Sequence, residues 1–191
     1  KAAIRGRLGL KQGVKYICFV GSVEKRKGVD VLIAAFEEVA EQSPDANLLV
    51  VGPDVFLKPG FEDRPYQQAQ AFVDTLKQHV NALGLASRIT FIGQTNLVSD
   101  YLQASDLFAF PSHREGFPNV IIEAMACGLP CVVSYLDGIS EDIIHDGVDG
   151  FIIRNHDPSL YAKRMLQVLN DRALSEQIGR AARHTVEREF R

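Results

Sequence analysis

Residues 107–134 read LFAFPSHREGFPNVIIEAMACGLPCVVS, and this stretch decides the fold. Leu107–Phe110 is a short apolar run of buried-strand type. The loop that follows carries Pro111, Gly116 and Pro118. The mostly apolar segment after Asn119 reads as a short helix ended by Gly128 and Pro130. Cys131–Ser134 is a second strand. Strand, loop, helix and strand follow one another with no spare residues, as in a parallel sheet whose strands are joined by helical crossovers.

The alternation continues in both directions. Upstream, Tyr16–Val20, Asn47–Val51 and Ile89–Ile92 read as strands. The intervening helices span about Asp30–Gln42, Tyr66–Leu83 and Leu97–Gln103. Leu32, Ala35, Phe36, Val39 and Ala40 share one face of the first helix, and Ala69, Phe72, Val73, Leu76, Val80 and Leu83 one side of the second. Gly84 is placed to cap that second helix. Residues 54–65, with Pro59, Gly60 and Pro65, read as a loop. Downstream, 137–145 is a loop with a short helix, Phe151–Ile153 a sixth strand, and 158–170 and 172–189 are helical. Residues 1–15 read as a lead-in to one domain spanning 16–191. Six short apolar strands separated by helices specify an α/β domain, a parallel sheet covered by helices on both faces.

The chain has 191 residues, 46 % hydrophobic and 24 % charged, with a formal net charge of −3. That balance gives no electrostatic reason to expect nucleic acid or an anionic membrane as a partner of this chain. No apolar run approaches the ~20 residues of a membrane span, and the N-terminus lacks the apolar stretch of a signal peptide. Cys18, Cys127 and Cys131 form no redox or metal motif and read as small core residues in a reducing compartment, hence a cytoplasmic location. The five histidines show no metal-ligand spacing. His145 and His156 read as surface residues.

Ligands of such sheets bind beyond the carboxyl ends of the strands. Three segments with chemistry lie there: 21–28, 111–123 and 134–141. In the first, Gly21 and Gly28 permit close backbone approach, and Lys27 or Arg26 can neutralise a diphosphate. In the second, Glu115 lies in the loop and Glu123 a turn into the helix. Helix-start N–H groups near Asn119 and Val120 suit a phosphate. Glu123 can accept hydrogen bonds from a diol, and its apolar surroundings imply partial burial with bonded partners. Glu115 can reach hydroxyls beyond the phosphate. Diol, diphosphate and sugar in that order describe a nucleotide-sugar. In the third, Gly138-Ile139-Ser140-Glu141 is either another helix start near the ligand or a plain helix cap. His113 and Arg114 flank the site. G-x-G-x-x-G, G-x-x-x-x-G-K-[ST] and G-x-S-x-G are all absent, and so is any D-x-D pair for a metal-bridged diphosphate.

The ordered set Gly21…Lys27-Gly28, Pro111-Ser112-x-x-Glu115-Gly116-Phe117, Glu123-Ala-Met-Ala-x-Gly128-x-Pro130, Gly138-x-x-Glu141 and Asp146-Gly-x-x-Gly150 resembles the C-terminal, donor-binding domain of retaining GT-B glycosyltransferases of the family 4 group. The resemblance covers about residues 5–190. It implies a Rossmann-like three-layer domain, one half of a GT-B fold, with an N-terminal acceptor domain absent from this chain. It further implies hexosyl transfer from a nucleotide-sugar with retention and no metal or other cofactor. Glu115 would contact the donor sugar, Glu123 the ribose, and Lys27 the diphosphate. Phe117, Pro118, Asn119 and Val120 would offer backbone contacts to phosphate and sugar, and the strand around Thr90 and Phe91 would meet the nucleobase. The family has Arg where this chain has Ser22, so Arg26 or Lys25 would take its place beside Lys27, or the acceptor-side half would supply the charge. The full-length protein could meet a membrane peripherally through its other domain. A non-catalytic nucleotide-sugar-binding module and a GT-B nucleotide-sugar epimerase are the alternatives.

Overall fold

A computed structural model describes residues 1–57, 60 and 63–190. Pro59, expected in a loop, and Arg191 lie outside the described residues. The strands are β1 (Lys15–Val20), β2 (Ala46–Val51), β3 (Ile89–Gly93), β4 (Leu107–Phe110), β5 (Cys131–Ser134) and β6 (Phe151–Ile153). The helices are α1 (Ala2–Arg7), α2 (Val29–Gln42), α3 (Arg64–Ala82), α4 (Val98–Ala104), α5 (Asn119–Ala126), α6 (Ser140–Ile143), α7 (Pro158–Asn170) and α8 (Arg172–Glu189).

The six strands form one sheet in the order β3-β2-β1-β4-β5-β6, and every pair is parallel. All four residues of β4 and of β5 are buried, as are the four middle residues of β1. Successive strand side chains point to opposite faces, so unbroken burial requires cover on both. Helix α2 packs on α7, and α5 on α8. This is the parallel sheet covered on both faces expected from the strand pattern, and the Rossmann-like three-layer domain that the resemblance implied.

The strand order reverses between β1 and β4, which pair directly at Ile17↔Leu107 and Cys18↔Phe108. At that switch point the loops after the two strands lie side by side, in the usual place for a ligand crevice. Phe19, Phe110 and Phe108 stack beneath it, with ring centroids 6.1 and 5.9 Å apart along the row.

Three sequence expectations need correction. The lead-in is folded: α1 docks on α4, and Arg5 is buried. Its guanidinium donates to the Ala104 carbonyl at 2.8 Å, the Val14 carbonyl at 2.9 Å and Asp106 Oδ2 at 2.7 Å. Pro65 lies in the first turn of α3, which begins at Arg64, rather than in the loop; the first helical turn needs no N–H from it. Cys127 is only partly buried, whereas Cys18 and Cys131 are fully so. Burial pushes the Cys18 thiol up to about 12 and raises the Cys127 and Cys131 thiols as well.

Candidate functional site

The site is built where two loops touch. The loop from Gly21 leaves β1, makes a single 3-10 turn at Lys25–Lys27, and enters α2 through Gly28. The loop from Pro111 leaves β4 and enters α5 at Asn119. Gly28 has φ +69°, and a Cβ placed there would lie 2.1 Å from the Pro111 carbonyl oxygen. Its conformational freedom lets the second loop approach closely. The His113 amide donates to the Arg26 carbonyl at 2.9 Å, and Arg26 Nη1 donates to the Arg114 carbonyl at 2.8 Å.

Lys27 and Glu115 meet across this seam. Lys27 Nζ lies 2.7 Å from Glu115 Oε1 and 5.7 Å from the centroid of the Phe110 ring. Ser112 Oγ donates to the same Oε1 at 2.6 Å. Oε2 faces Arg26 Nη1 at 3.7 Å. The Glu115 side chain is 10 % exposed and that of Lys27 15 %, so the pair is weakly screened. Arg26 is half-exposed and also approaches Glu24 at 4.0 Å. Two residues read separately as sugar and phosphate ligands thus form one ion pair.

The structure places the remaining candidates unevenly. Gly21 and Ser22 lie partly buried directly after β1. Phe117 is 55 % exposed at the loop's outer edge, while Pro118 is buried. Asn119 and Val120 open α5, but the Asn119 amide is turned back onto the Phe117 carbonyl at 3.0 Å. Glu123 is exposed, and no hydrogen bond or ion pair engages its carboxylate among the described residues, contrary to the expected partial burial. The periodicity of α5 explains why: Ile121, Ala124 and Met125 face the core, which turns Glu123 to solvent. Thr90 is not brought to this cluster. It lies in the edge strand β3, paired with Leu49 of β2, three residues before Gly93 and separated from β4 by two strands.

The third segment supports the site from below. Ser134 Oγ, fully buried at the end of β5, donates to the Ser112 carbonyl, with the Phe110 carbonyl farther off at 3.3 Å. Ser140 Oγ donates to the Ser134 carbonyl at 2.7 Å and accepts from the Leu136 amide at 2.9 Å. Glu141 is exposed and pairs with Arg154 at 2.7 Å, and α6 starts after Ile139 with no side-chain cap, so the cap expected of 138–141 does not form. One neighbour was missed. His156, next to Asn155, holds φ +48° and packs against His113 with ring centroids 4.1 Å apart and planes tilted by 41°. Burial, and then His113, push its imidazole below the ordinary value. It is therefore not a plain surface residue. Only its fixed φ, invisible in sequence, would have marked it. Among the described residues no three His, Cys, Asp or Glu side chains gather as a metal site, and no helix is long and apolar enough to cross a membrane.

A family model described as "Glycosyl transferases group 1" matches residues 1–185. The chain belongs to this family. A D-inositol 3-phosphate glycosyltransferase from Streptomyces avermitilis is 32 % identical over 185 residues, covering 95 % of this chain and 38 % of that protein. Among solved structures, Anabaena HepE in complex with UDP and glucose is 25 % identical with a TM-score of 0.84, covering 98 % of this chain and 47 % of that one. The C-terminal domain of a group 1 glycosyl transferase from Francisella tularensis is 25 % identical with a TM-score of 0.80, covering 93 % and 86 %. The fold is one half of the GT-B arrangement, and the chain spans well under half the length of the curated group 1 relatives it matches.

Proposed function

We propose that this chain is the donor-binding half of a glycosyltransferase that moves a hexosyl group from a nucleotide-sugar to an acceptor held by a second domain. One observation carries the reading: in a group 1 family member, Lys27 and Glu115 converge at the sheet's switch point, one cation and one carboxylate 2.7 Å apart. A diphosphate needs the cation, and the sugar hydroxyls beyond it need an acceptor. That the Anabaena relative binds UDP and glucose supports a nucleotide-sugar as the ligand.

Each residue then has a task. Lys27, helped by Arg26 and the backbone at Gly21 and Ser22, neutralises the diphosphate. The N–H groups around Phe117, Pro118, Asn119 and Val120 face the phosphate and sugar as far as Pro118, which has none, and the turned-back Asn119 allow. Glu123, exposed and unengaged, is free to accept the two ribose hydroxyls. Glu115 contacts the sugar at the reacting end. The backbone of β3 around Thr90 and Phe91, towards its carboxyl end at Gly93, meets the nucleobase. Transfer proceeds with retention, and charge on the leaving diphosphate is met by cations of the protein, without a metal. The protein works in the cytoplasm on small-molecule donors, not on nucleic acid, and any membrane contact is peripheral and belongs to the second domain.

Saturation-transfer NMR of the 191-residue chain against UDP, GDP and their hexose conjugates tests this. Binding with Kd on the order of 0.1–1 mM is expected for half of a two-domain site, with no turnover by this chain alone. Absence of transfer from every nucleotide and conjugate contradicts the reading. EDTA should leave transfer by the full-length enzyme intact; activity lost on chelation and restored by Mg²⁺ would show that a metal carries the diphosphate.

A further inference from the structure

We infer that Ser112 is the residue that positions Glu115, fixing which carboxylate oxygen is presented to the donor sugar. The inference rests on the donor-site reading above and adds to it a specific dependence of Glu115 on a buried hydroxyl.

Ser112 is fully buried, and its Oγ has three oxygens in reach: Glu115 Oε1 at 2.6 Å and the carbonyls of Arg26 and Arg114, each at 3.3 Å. A hydroxyl has one proton to give. The carboxylate is both nearest and charged, and 2.6 Å is the length of an O–H···O⁻ bond, so the proton goes there. Lys27 Nζ meets the same Oε1 at 2.7 Å. Lysine is a point charge on a flexible stem and fixes distance far better than direction. A hydroxyl buried on a short side chain fixes direction. With Oε1 held by two hydrogen-bond donors and Oε2 meeting, among the described residues, Arg26 alone in a looser ion pair at 3.7 Å, the carboxylate has one firmly held and one freer oxygen.

Ser112 is itself anchored from β5. The Ser134 hydroxyl donates to its carbonyl, and the Ser140 hydroxyl donates to the Ser134 carbonyl at 2.7 Å. All three serines are buried. They tie the ends of β4 and β5 and the start of α6 to one carboxylate, so the orientation of Glu115 is set by the sheet rather than by its own loop. The two 3.3 Å carbonyls give Ser112 another acceptor once the carboxylate is gone, which separates the two directions of dependence. Removing Glu115 leaves the Ser112 proton satisfied. Removing the Ser112 hydroxyl leaves Glu115 free to rotate about Lys27.

Two measurements test this. In the 191-residue chain, carbon-detected NMR of labelled glutamate reads the Glu115 side-chain rotamer. Wild type and Ser112→Thr should each show a single rotamer, and Ser112→Ala an averaged one, with backbone amide shifts outside 26–28 and 110–120 unchanged. A single Glu115 rotamer in Ser112→Ala overturns the inference. In the full-length enzyme, with whichever of UDP-glucose and GDP-mannose it turns over, Ser112→Ala should lower kcat at least ten-fold while donor KM moves less than three-fold, and Ser112→Thr should recover most of the loss. The double variant Ser112→Ala/Glu115→Ala should be no slower than Glu115→Ala alone. Additive losses would make Ser112 merely structural and also overturn it. A Glu115→Ala enzyme with undiminished kcat would instead sink the role of Glu115 in the reading beneath, while the rotamer measurement would still decide whether Ser112 orients it.

Discussion

Glu115 and Glu123 lie eight positions apart and live in opposite environments. Glu115 is nearly buried and holds Lys27 and Ser112; Glu123 is exposed and unengaged. The sequence marked both as ligand carboxylates, but their surroundings were only half legible. The apolar neighbours of Glu123 suggested burial, because a short window hides which face of a helix a residue occupies. Counting from Ile121 by three and four turns settles it outward. Burial of Glu115 could not be read at all, since it comes from a contact with a loop 88 positions earlier. Because Glu123 spends nothing on the protein's own stability, Glu123→Ala should leave the fold intact. It should cost about 1.5–3 kcal/mol of nucleoside-diphosphate affinity by loss of a charged hydrogen bond. Titration calorimetry beside a denaturation curve checks both halves, and unchanged affinity would remove Glu123 from the ribose role.

At the level of elements, what places the site is the seam between the loops after β1 and β4. Gly28 is its tightest point. Gly28→Ala would force an L residue to φ +69° and drive a methyl to 2.1 Å from the Pro111 carbonyl oxygen. The two loops must part, and stability should fall by more than about 2 kcal/mol. Urea denaturation measures this directly; a loss under about 0.5 kcal/mol would mean the seam is loose. Gly179 plays the same part away from the site, where a Cβ would lie 2.3 Å from the Gly128 carbonyl oxygen and separate α8 from α5. The six strands were legible because their apolar runs are short and bounded. Helix α1 was not, because Ala2–Arg7 has no apolar period and Gly6 argues against a helix; it forms because Arg5 reaches across to Ala104, Val14 and Asp106. Likewise Asp146 and Gly150 were noticed only as part of the family resemblance, while Asp149 between them was not. Yet Asp149 is the buried anchor that accepts from the His145 amide at 2.7 Å, His145 Nδ1 at 2.9 Å and Thr185 Oγ1 at 2.7 Å, tying the turn to α8.

That anchor has a consequence for the whole molecule. The hydrogen bond to Asp149 raises the pKa of His145 above its ordinary 6.5, with a smaller push from Glu189. A raised folded-state pKa means the folded chain favours the proton. The contribution is present in full below about pH 6.5 and is lost as pH rises through the higher folded value. His145 is half-exposed, so the effect is screened and modest. Urea midpoints measured from pH 5.5 to 8.5 should fall more steeply in wild type than in His145→Gln; parallel slopes would exclude the coupling.

The candidate ligand edge lies at the carboxyl ends of β1 and β4, and among the described residues there Lys27 is more buried than Lys25, Arg26 or Arg114. If that edge holds a diphosphate, Lys27 must distinguish a nucleotide from its nucleoside. The decisive quantity is the ratio of UDP to uridine affinity, and of GDP to guanosine, in wild type and Lys27→Ala. The account predicts that Lys27→Ala collapses the ratio by about ten-fold or more, the loss of a charge-assisted contact, while nucleoside affinity stays within about two-fold, a difference of roughly 0.4 kcal/mol. A ratio unchanged by Lys27→Ala would contradict it and put the phosphates elsewhere.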